Sequence, residues 1–164
     1  MDLVKAYDEV NWVFLRLLLL QIGPPYEVVE WIMSCVSSTC FVVLVNGRPT
    51  SFFKSERGLW QGCPLSPLLF LLVIKGLSRL IYDAKSKGKL KGIKVSISNY
   101  ITHILFIDEV ILFGNGSYEE WLEIYRFIQL FCVVNRMEVN LEKYSFPRSG
   151  INEDIYSQIL TLFP

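Results

Sequence analysis

The sequence has no charge excess of either sign: 16 Lys and Arg balance 16 Asp and Glu. A chain that grips nucleic acid over its whole surface carries a basic excess, so any such role here must rest on a local patch. Histidine occurs once, at His103, and none of the four cysteines (Cys35, Cys40, Cys63 and Cys132) belongs to a CxxC pair. That excludes the usual zinc patterns. Four thiols in a chain that is 52% hydrophobic do not suggest a disulfide framework; they are expected to be reduced thiols that mostly fill the core. No apolar run reaches the roughly 20 residues that cross a bilayer. The longest, around Leu17–Leu20 and Pro67–Ile74, stop at Gln21 and Lys75. Asp2, Lys5 and Asp8 crowd the N-terminus, which is not the layout of a secretory signal. The chain is therefore expected inside the cell, cytoplasmic or nuclear, without a membrane span. Repeats, low-complexity tracts and linkers are missing too, so residues 1–164 are expected to be one domain.

What is present is apolar material in two periodicities. Residues 12–22 (WVFLRLLLLQI) predict a buried helix, closed by Gly23 and by Pro24-Pro25. Residues 26–38 predict a second helix, with Glu27 and Glu30 off its apolar face. FVVLVNGRPTSFF then turns β-branched and aromatic around Asn46-Gly47, the strongest short-range hairpin signal in the chain. A loop over residues 57–67 leads to Ser66-Pro67, expected to start a long helix with Ser66 as its cap. GIKVSIS, YITHILFI and VILFG read as strands, and Ser117 as the cap of a helix running to about Val134. A short strand near Glu138–Leu141 and an irregular tail complete the reading. Hairpins mixed with long helices, without βαβ alternation, indicate α+β: an antiparallel sheet with helices packed on one face.

Three stretches could carry chemistry. DLVKAYD holds Asp2 and Asp8 near the N-terminus. HILFIDEVILF plants Asp108 and Glu109 at or near a tight turn between two apolar strands, where unpaired burial would be costly. Carboxylates that converge from separate strands suit two divalent ions about 3.5–4 Å apart in phosphoryl transfer. Taken alone, spacing favours the plainer reading, Asp108-Glu109 as a solvated turn and Asp8 as a helix cap. GLWQGCPLSPLLF supplies glycines for close backbone approach, an amide at Gln61 and a helix N-terminus behind them; it reads equally as a structural loop.

In this order, DLVKAYDEVNW, GLWQGCPLSPLLF and HILFIDEVILF resemble motifs A, B and C of reverse transcriptases, nearest to the non-LTR (LINE-type) retrotransposon group. Val139-Asn140-Leu141-Glu142-Lys143-Tyr144 is similar to motif D. The likeness covers nearly the whole chain. It implies an RNA-directed DNA polymerase palm, an incomplete one with fingers and thumb largely missing, that uses two Mg²⁺ ions, deoxynucleoside triphosphates, an RNA template and a DNA primer. It implies Asp2, Asp108 and Glu109 as metal-binding carboxylates. Tyr7 would be the aromatic gate against a ribose 2′-hydroxyl, Gln61 and Gly62 the contacts to nucleotide and template, and Lys143 the helper of pyrophosphate departure.

The chain also departs from the family pattern. Glu109 stands where a second Asp is usual, one bond of about 1.5 Å longer, while productive sites tolerate about 0.5 Å. Ile107 replaces a small residue, Trp60 a usual Arg, and Arg136 a usual glycine where φ is often positive. Asp2 follows only Met1 and is expected on a fraying end. Together with the fingers and thumb expected to be missing, these departures predict a truncated relic with little or no polymerase activity. The alternative is a non-catalytic palm-derived module that binds nucleic acid or protein. Its candidate patch is the run Lys85, Lys87, Lys89, Lys91 and Lys94, otherwise read as a solvated loop. His103 is read as a strand residue, and Trp12 and Trp31 as core.

Overall fold

The computed structural model describes residues 1–140, 143, 145–148 and 150–163. Its elements are helices α1 (Trp12–Ile22), α2 (Tyr26–Ser37), α3 (Ser66–Ser86), α4 (Tyr118–Asn135) and α5 (Glu153–Leu162), with eight short strands. These are β1 (Cys40–Phe41), β2 (Leu44–Val45), β3 (Arg48–Pro49), β4 (Phe53–Lys54), β5 (Ile93–Lys94), β6 (Tyr100–Ile101), β7 (His103–Phe106) and β8 (Glu109–Leu112). The class is α+β, and among the described residues every strand pair is antiparallel. The ladders β1–β4, β2–β3, β5–β6 and β7–β8 are separate two-stranded pairs rather than the single sheet the sequence suggested. Among the described residues no helix is long and apolar enough to cross a membrane.

The chain divides into two compact units: Lys5–Val73, and Met1–Val4 with Ile74 to the C-terminal end. In the first, Asn11 rather than Asp8 caps α1, its side chain accepting from the Val13 and Phe14 amides. Gly23 closes that helix at φ 91°, a left-handed conformation that costs glycine little. Leu15, Leu19, Val29, Leu69, Phe70 and Val73 are buried. Trp31, expected in the core, is 67% exposed on α2, because the apolar face of this helix is formed instead by Val29 and Met33. Asn46-Gly47 turns the β2–β3 hairpin as expected, with both residues at positive φ. Ser66 does not cap α3: its hydroxyl donates to the Trp60 carbonyl at 2.7 Å.

In the second unit, β7 and β8 pair His103 with Leu112, Leu105 with Val110 and Phe106 with Glu109. Val110 is fully buried and Ile104, Phe106 and Ile111 are exposed, the alternation that a one-sided sheet requires. Leu77, Ile81, Ile124, Ile128 and Ile159 supply core from three helices. Helix α5, absent from the sequence reading, is capped by Asn152, whose side chain accepts from the Asp154 amide at 2.8 Å. Ser117 caps α4 as expected. Arg136 follows that helix at φ 57°, in the conformation the sequence implied.

The cysteines do not fill the core as expected: Cys132 is buried, Cys63 half-buried, and Cys35 and Cys40 exposed, all four unpaired. Burial raises the Cys132 thiol to about 11, with Glu138 adding to the effect.

Candidate active site

The carboxylate site is built on β8 and the N-terminal residues. Phe106 opposite Glu109 leaves Ile107 and Asp108 as a two-residue turn, so Asp108 sits in the turn and Glu109 opens the strand. Ile107 takes φ 56°, costly for a β-branched residue. Asp2 lies directly opposite Glu109 in an antiparallel bridge, and Leu3 opposite Val139. Residues directly opposite in an antiparallel pair project to one face, so Asp2 and Glu109 share a face.

The N-terminus is pinned rather than frayed. The Met1 ammonium donates to the Val110 carbonyl at 3.0 Å, and the Val110 amide donates to the Met1 carbonyl at 2.9 Å. On the other side the Asn140 amide donates to the Asp2 carbonyl at 2.8 Å, and the Val4 amide to the Glu138 carbonyl at 2.9 Å. Residues 1–3 thus have neighbours on both sides, and a turn begins at Val4. Lys143, exposed, places its Nζ 3.2 Å from the Asp2 carboxylate. Leu141, Glu142 and Tyr144, the rest of the motif D likeness, lie outside the described residues.

The donors here are hard oxygens, the chemistry that a divalent ion of the Mg²⁺ type requires. Two of the three carboxylates already share a face. Among the described residues no three His, Cys, Asp or Glu side chains converge tightly enough to enclose an ion. Lys143 holds an oxygen of Asp2 that an ion would take.

The second group of candidates belongs to the other unit. The Tyr7 ring stacks on the buried Phe70 ring at 4.5 Å between centroids and 18° between planes. The Leu59 amide donates to the Tyr7 carbonyl at 2.7 Å, and the Gly58 amide to the Val10 carbonyl at 2.9 Å. Trp12, read as core, is half-buried and donates from its indole Nε1 to the Gly58 carbonyl at 2.7 Å. Gly58 itself has φ 87°, and a Cβ there would come within 2.6 Å of the Asp8 carbonyl oxygen; glycine is required on both counts. Gln61 donates through Nε2 to Asp8 Oδ1 at 3.2 Å. Gly62 turns the chain at φ 93°. Beside it the Cys63 thiol is drawn down by the backbone amide of Leu65, with burial opposing and Ser66 adding to the lowering.

The sequence reading missed Asp8 as the partner of Gln61 and Glu120 as a buried staple. Glu120 accepts from the amides of Lys91 at 2.6 Å, Gly92 at 2.7 Å and Asn115 at 2.7 Å. No sequence signal marks that role, because its partners come from two loops. His103 is a strand residue as read; its ring is within hydrogen-bonding distance of Ser78 at 2.8 Å and Thr102 at 3.0 Å. Burial, with Lys85 adding, lowers its basicity. The basic run is largely engaged. Lys85 donates to the Tyr100 carbonyl, Lys87 pairs with Asp83, Lys89 with Glu123, and Lys91 lies over the Tyr100 ring. A cavity of about 1130 Å³ opens in the same unit as the carboxylates, walled by Trp121, Tyr125, Phe146 and Phe163. Asp2, Asp108 and Glu109 are not among its lining residues.

Comparison with known proteins completes the picture. The family described as reverse transcriptase (RNA-dependent DNA polymerase) matches residues 1–152, and the chain belongs to that family. It is 27% identical over 112 residues to a retrovirus-related Pol polyprotein from the type-1 retrotransposable element R2 of Popillia japonica, covering 68% of this chain and 18% of the relative. It is 29% identical over 115 residues to the corresponding polyprotein from the type-2 element R2DM of Drosophila melanogaster, covering 70% and 10%. An uncharacterised mitochondrial protein of Arabidopsis thaliana is 45% identical over 67 residues, 40% of this chain and 55% of that one. The chain thus spans about half or less of the curated relatives it matches. The R2 likeness agrees with the non-LTR assignment made from the motifs.

Proposed function

We propose that this chain is palm-domain material of a non-LTR reverse transcriptase, and that Asp2, Asp108 and Glu109 are its metal-binding carboxylates for RNA-directed DNA synthesis. The observation that carries this reading is the Asp2–Glu109 bridge with Asp108 in the adjoining turn. It brings the acids of the first and third motifs together from opposite parts of the chain. Bound Mg²⁺ ions would supply Lewis acidity for the attacking primer hydroxyl and neutralise the departing pyrophosphate. Lys143, which pairs with Asp2, would in this reading exchange that carboxylate for the pyrophosphate as charge develops on it. Tyr7, braced by Phe70, is the gate that favours deoxyribose. Gln61 and Gly62 meet the nucleotide and template. The partners in this reading are an RNA template, a DNA primer and deoxynucleoside triphosphates, within the cell.

The activity of this chain is low in this reading, because Glu109 carries one methylene more than the usual acid and Ile107 strains the turn that presents Asp108. Primer extension on an RNA template, with Mg²⁺ and then Mn²⁺, tests it. The reading expects weak or undetectable extension by the native sequence, a gain of at least tenfold in Glu109→Asp, and complete loss when Asp108→Ala is added. Extension that survives Asp108→Ala overturns it. A binding module acting through the lysine run is the weaker alternative, since Lys85, Lys87, Lys89 and Lys91 already have partners within the chain.

A further inference from the structure

The amide of Gln61 has two chemically different ends, an NH₂ that donates and an oxygen that accepts. An ionised carboxylate only accepts, so the end that meets Asp8 has to be the NH₂. The 3.2 Å contact from Gln61 Nε2 to Asp8 Oδ1 has that polarity. Both residues lie in one compact unit, and both are exposed. A lone contact between exposed side chains would mean little, but the backbone around this one is fixed. Asp8 is set by a turn in which the Asp8 and Glu9 amides both donate to the Lys5 carbonyl, at 2.8 and 3.1 Å. Gly58 is pressed against the Asp8 backbone so closely that no side chain fits there. The Leu59 amide on the Tyr7 carbonyl, the Trp12 indole on the Gly58 carbonyl, and the Arg57–Glu9 ion pair at 3.0 Å lock the register of the two segments. Tyr7 and Gln61 are each within two residues of that clamp.

We propose that Asp8 is a positioning residue for Gln61. It holds the amide NH₂ and so turns Oε1 outward, giving the site a fixed hydrogen-bond acceptor. That acceptor selects a donor on the nucleotide, a sugar hydroxyl or an exocyclic base amine. It disfavours a phosphate oxygen, which the neighbouring Asp8 charge also repels. The role of the acceptor rests on the polymerase reading; the orientation of the amide does not.

Two measurements separate them. The first is the side-chain ¹H–¹⁵N signal of Gln61 in the native chain and in Asp8→Ala and Asp8→Glu, with melting curves as the control for folding. The expected result is a Gln61 NH₂ pair resolved in the native chain, collapsed toward free-amide positions in Asp8→Ala, and restored in Asp8→Glu. A Gln61 signal that is the same in the native chain and in a folded Asp8→Ala overturns the proposal. The second is titration with dATP and Mg²⁺. Asp8→Ala and Gln61→Ala are each expected to weaken binding roughly tenfold, about the worth of one hydrogen bond, and the double variant by no more than either alone. Losses that multiply in the double variant overturn the coupling. A resolved, Asp8-dependent Gln61 signal in a chain that binds no dATP supports the orientation while removing the polymerase reading.

Discussion

Asp2 stands opposite Glu109 in an antiparallel bridge, and the ammonium of Lys143 sits 3.2 Å from the same Asp2 carboxylate. Two acids on one face repel, and a cation beside them offsets that repulsion. Lys143 is 69% exposed, so its ion pair contributes less than about 1 kcal/mol to stability. Lys143→Ala is therefore expected to leave the melting temperature in metal-free buffer nearly unchanged. If Asp2 binds Mg²⁺ as proposed, the substitution should enlarge the rise produced by 10 mM Mg²⁺, since Lys143 and the ion would then compete for Asp2. An unchanged Mg²⁺ effect would show that the ion does not use Asp2.

The turn that presents Asp108 is strained at Ile107, and the end of α4 at Arg136. A left-handed conformation costs a residue with a Cβ roughly 1–2 kcal/mol. Ile107→Asn and Arg136→Gly are each expected to stabilise the fold by about 1 kcal/mol, or roughly 2–4 °C in melting temperature for a chain of this size. Chemical denaturation of the two variants checks this. A loss of stability in either would mean that packing of the native side chain outweighs the backbone strain.

Glu120 is the opposite kind of residue, buried and fully used. Its oxygens accept from the amides of Lys91, Gly92 and Asn115. Glu120→Ala strands those three donors, at about 1 kcal/mol or more for each that water cannot reach. A destabilisation of roughly 3 kcal/mol in urea unfolding is expected, with Glu120→Gln recovering part of it through its amide oxygen.

His103 gives the fold a pH dependence of known sign. Burial and Lys85 hold its folded-state basicity below that of the free side chain. The unfolded chain then takes up the proton first as pH falls. Stability from this residue is complete above about pH 6.5, the ordinary histidine value, and falls as pH drops from there toward the lower folded value. His103→Gln should flatten that part of the stability–pH curve. A native curve that rises on going below pH 6.5 would reverse the assignment.

The elements that could be read in advance were those decided locally. The α1 bounds follow from an apolar run stopped by Gly23 and two prolines, and the β2–β3 hairpin follows from Asn46-Gly47. Arg136 declared its left-handed position by standing where a glycine is usual. Helix α5 went unread because Ile155 and Ile159 make a thin apolar stripe and its Asn152 cap looked like loop. The anchoring of Asp2 was not legible either. It depends on Val110, Glu109 and Asn140, whose proximity is set by tertiary pairing rather than by any nearby residue. The same holds for Asp8, which resembled a cap until Asn11 proved to occupy that place and Gln61 proved to be the partner of Asp8. Acids could be named from the motifs, but which of them meet could not.

Whether Asp2, Asp108 and Glu109 hold divalent ions, as proposed above, is read from Mn²⁺ binding followed by electron paramagnetic resonance. The native chain is compared with Asp2→Asn, Asp108→Asn and Lys143→Ala. The expected result is saturable Mn²⁺ binding that Mg²⁺ displaces, weakened at least tenfold by Asp2→Asn and by Asp108→Asn and strengthened by Lys143→Ala. Binding that is absent from the native chain, or indifferent to both aspartates, would contradict it.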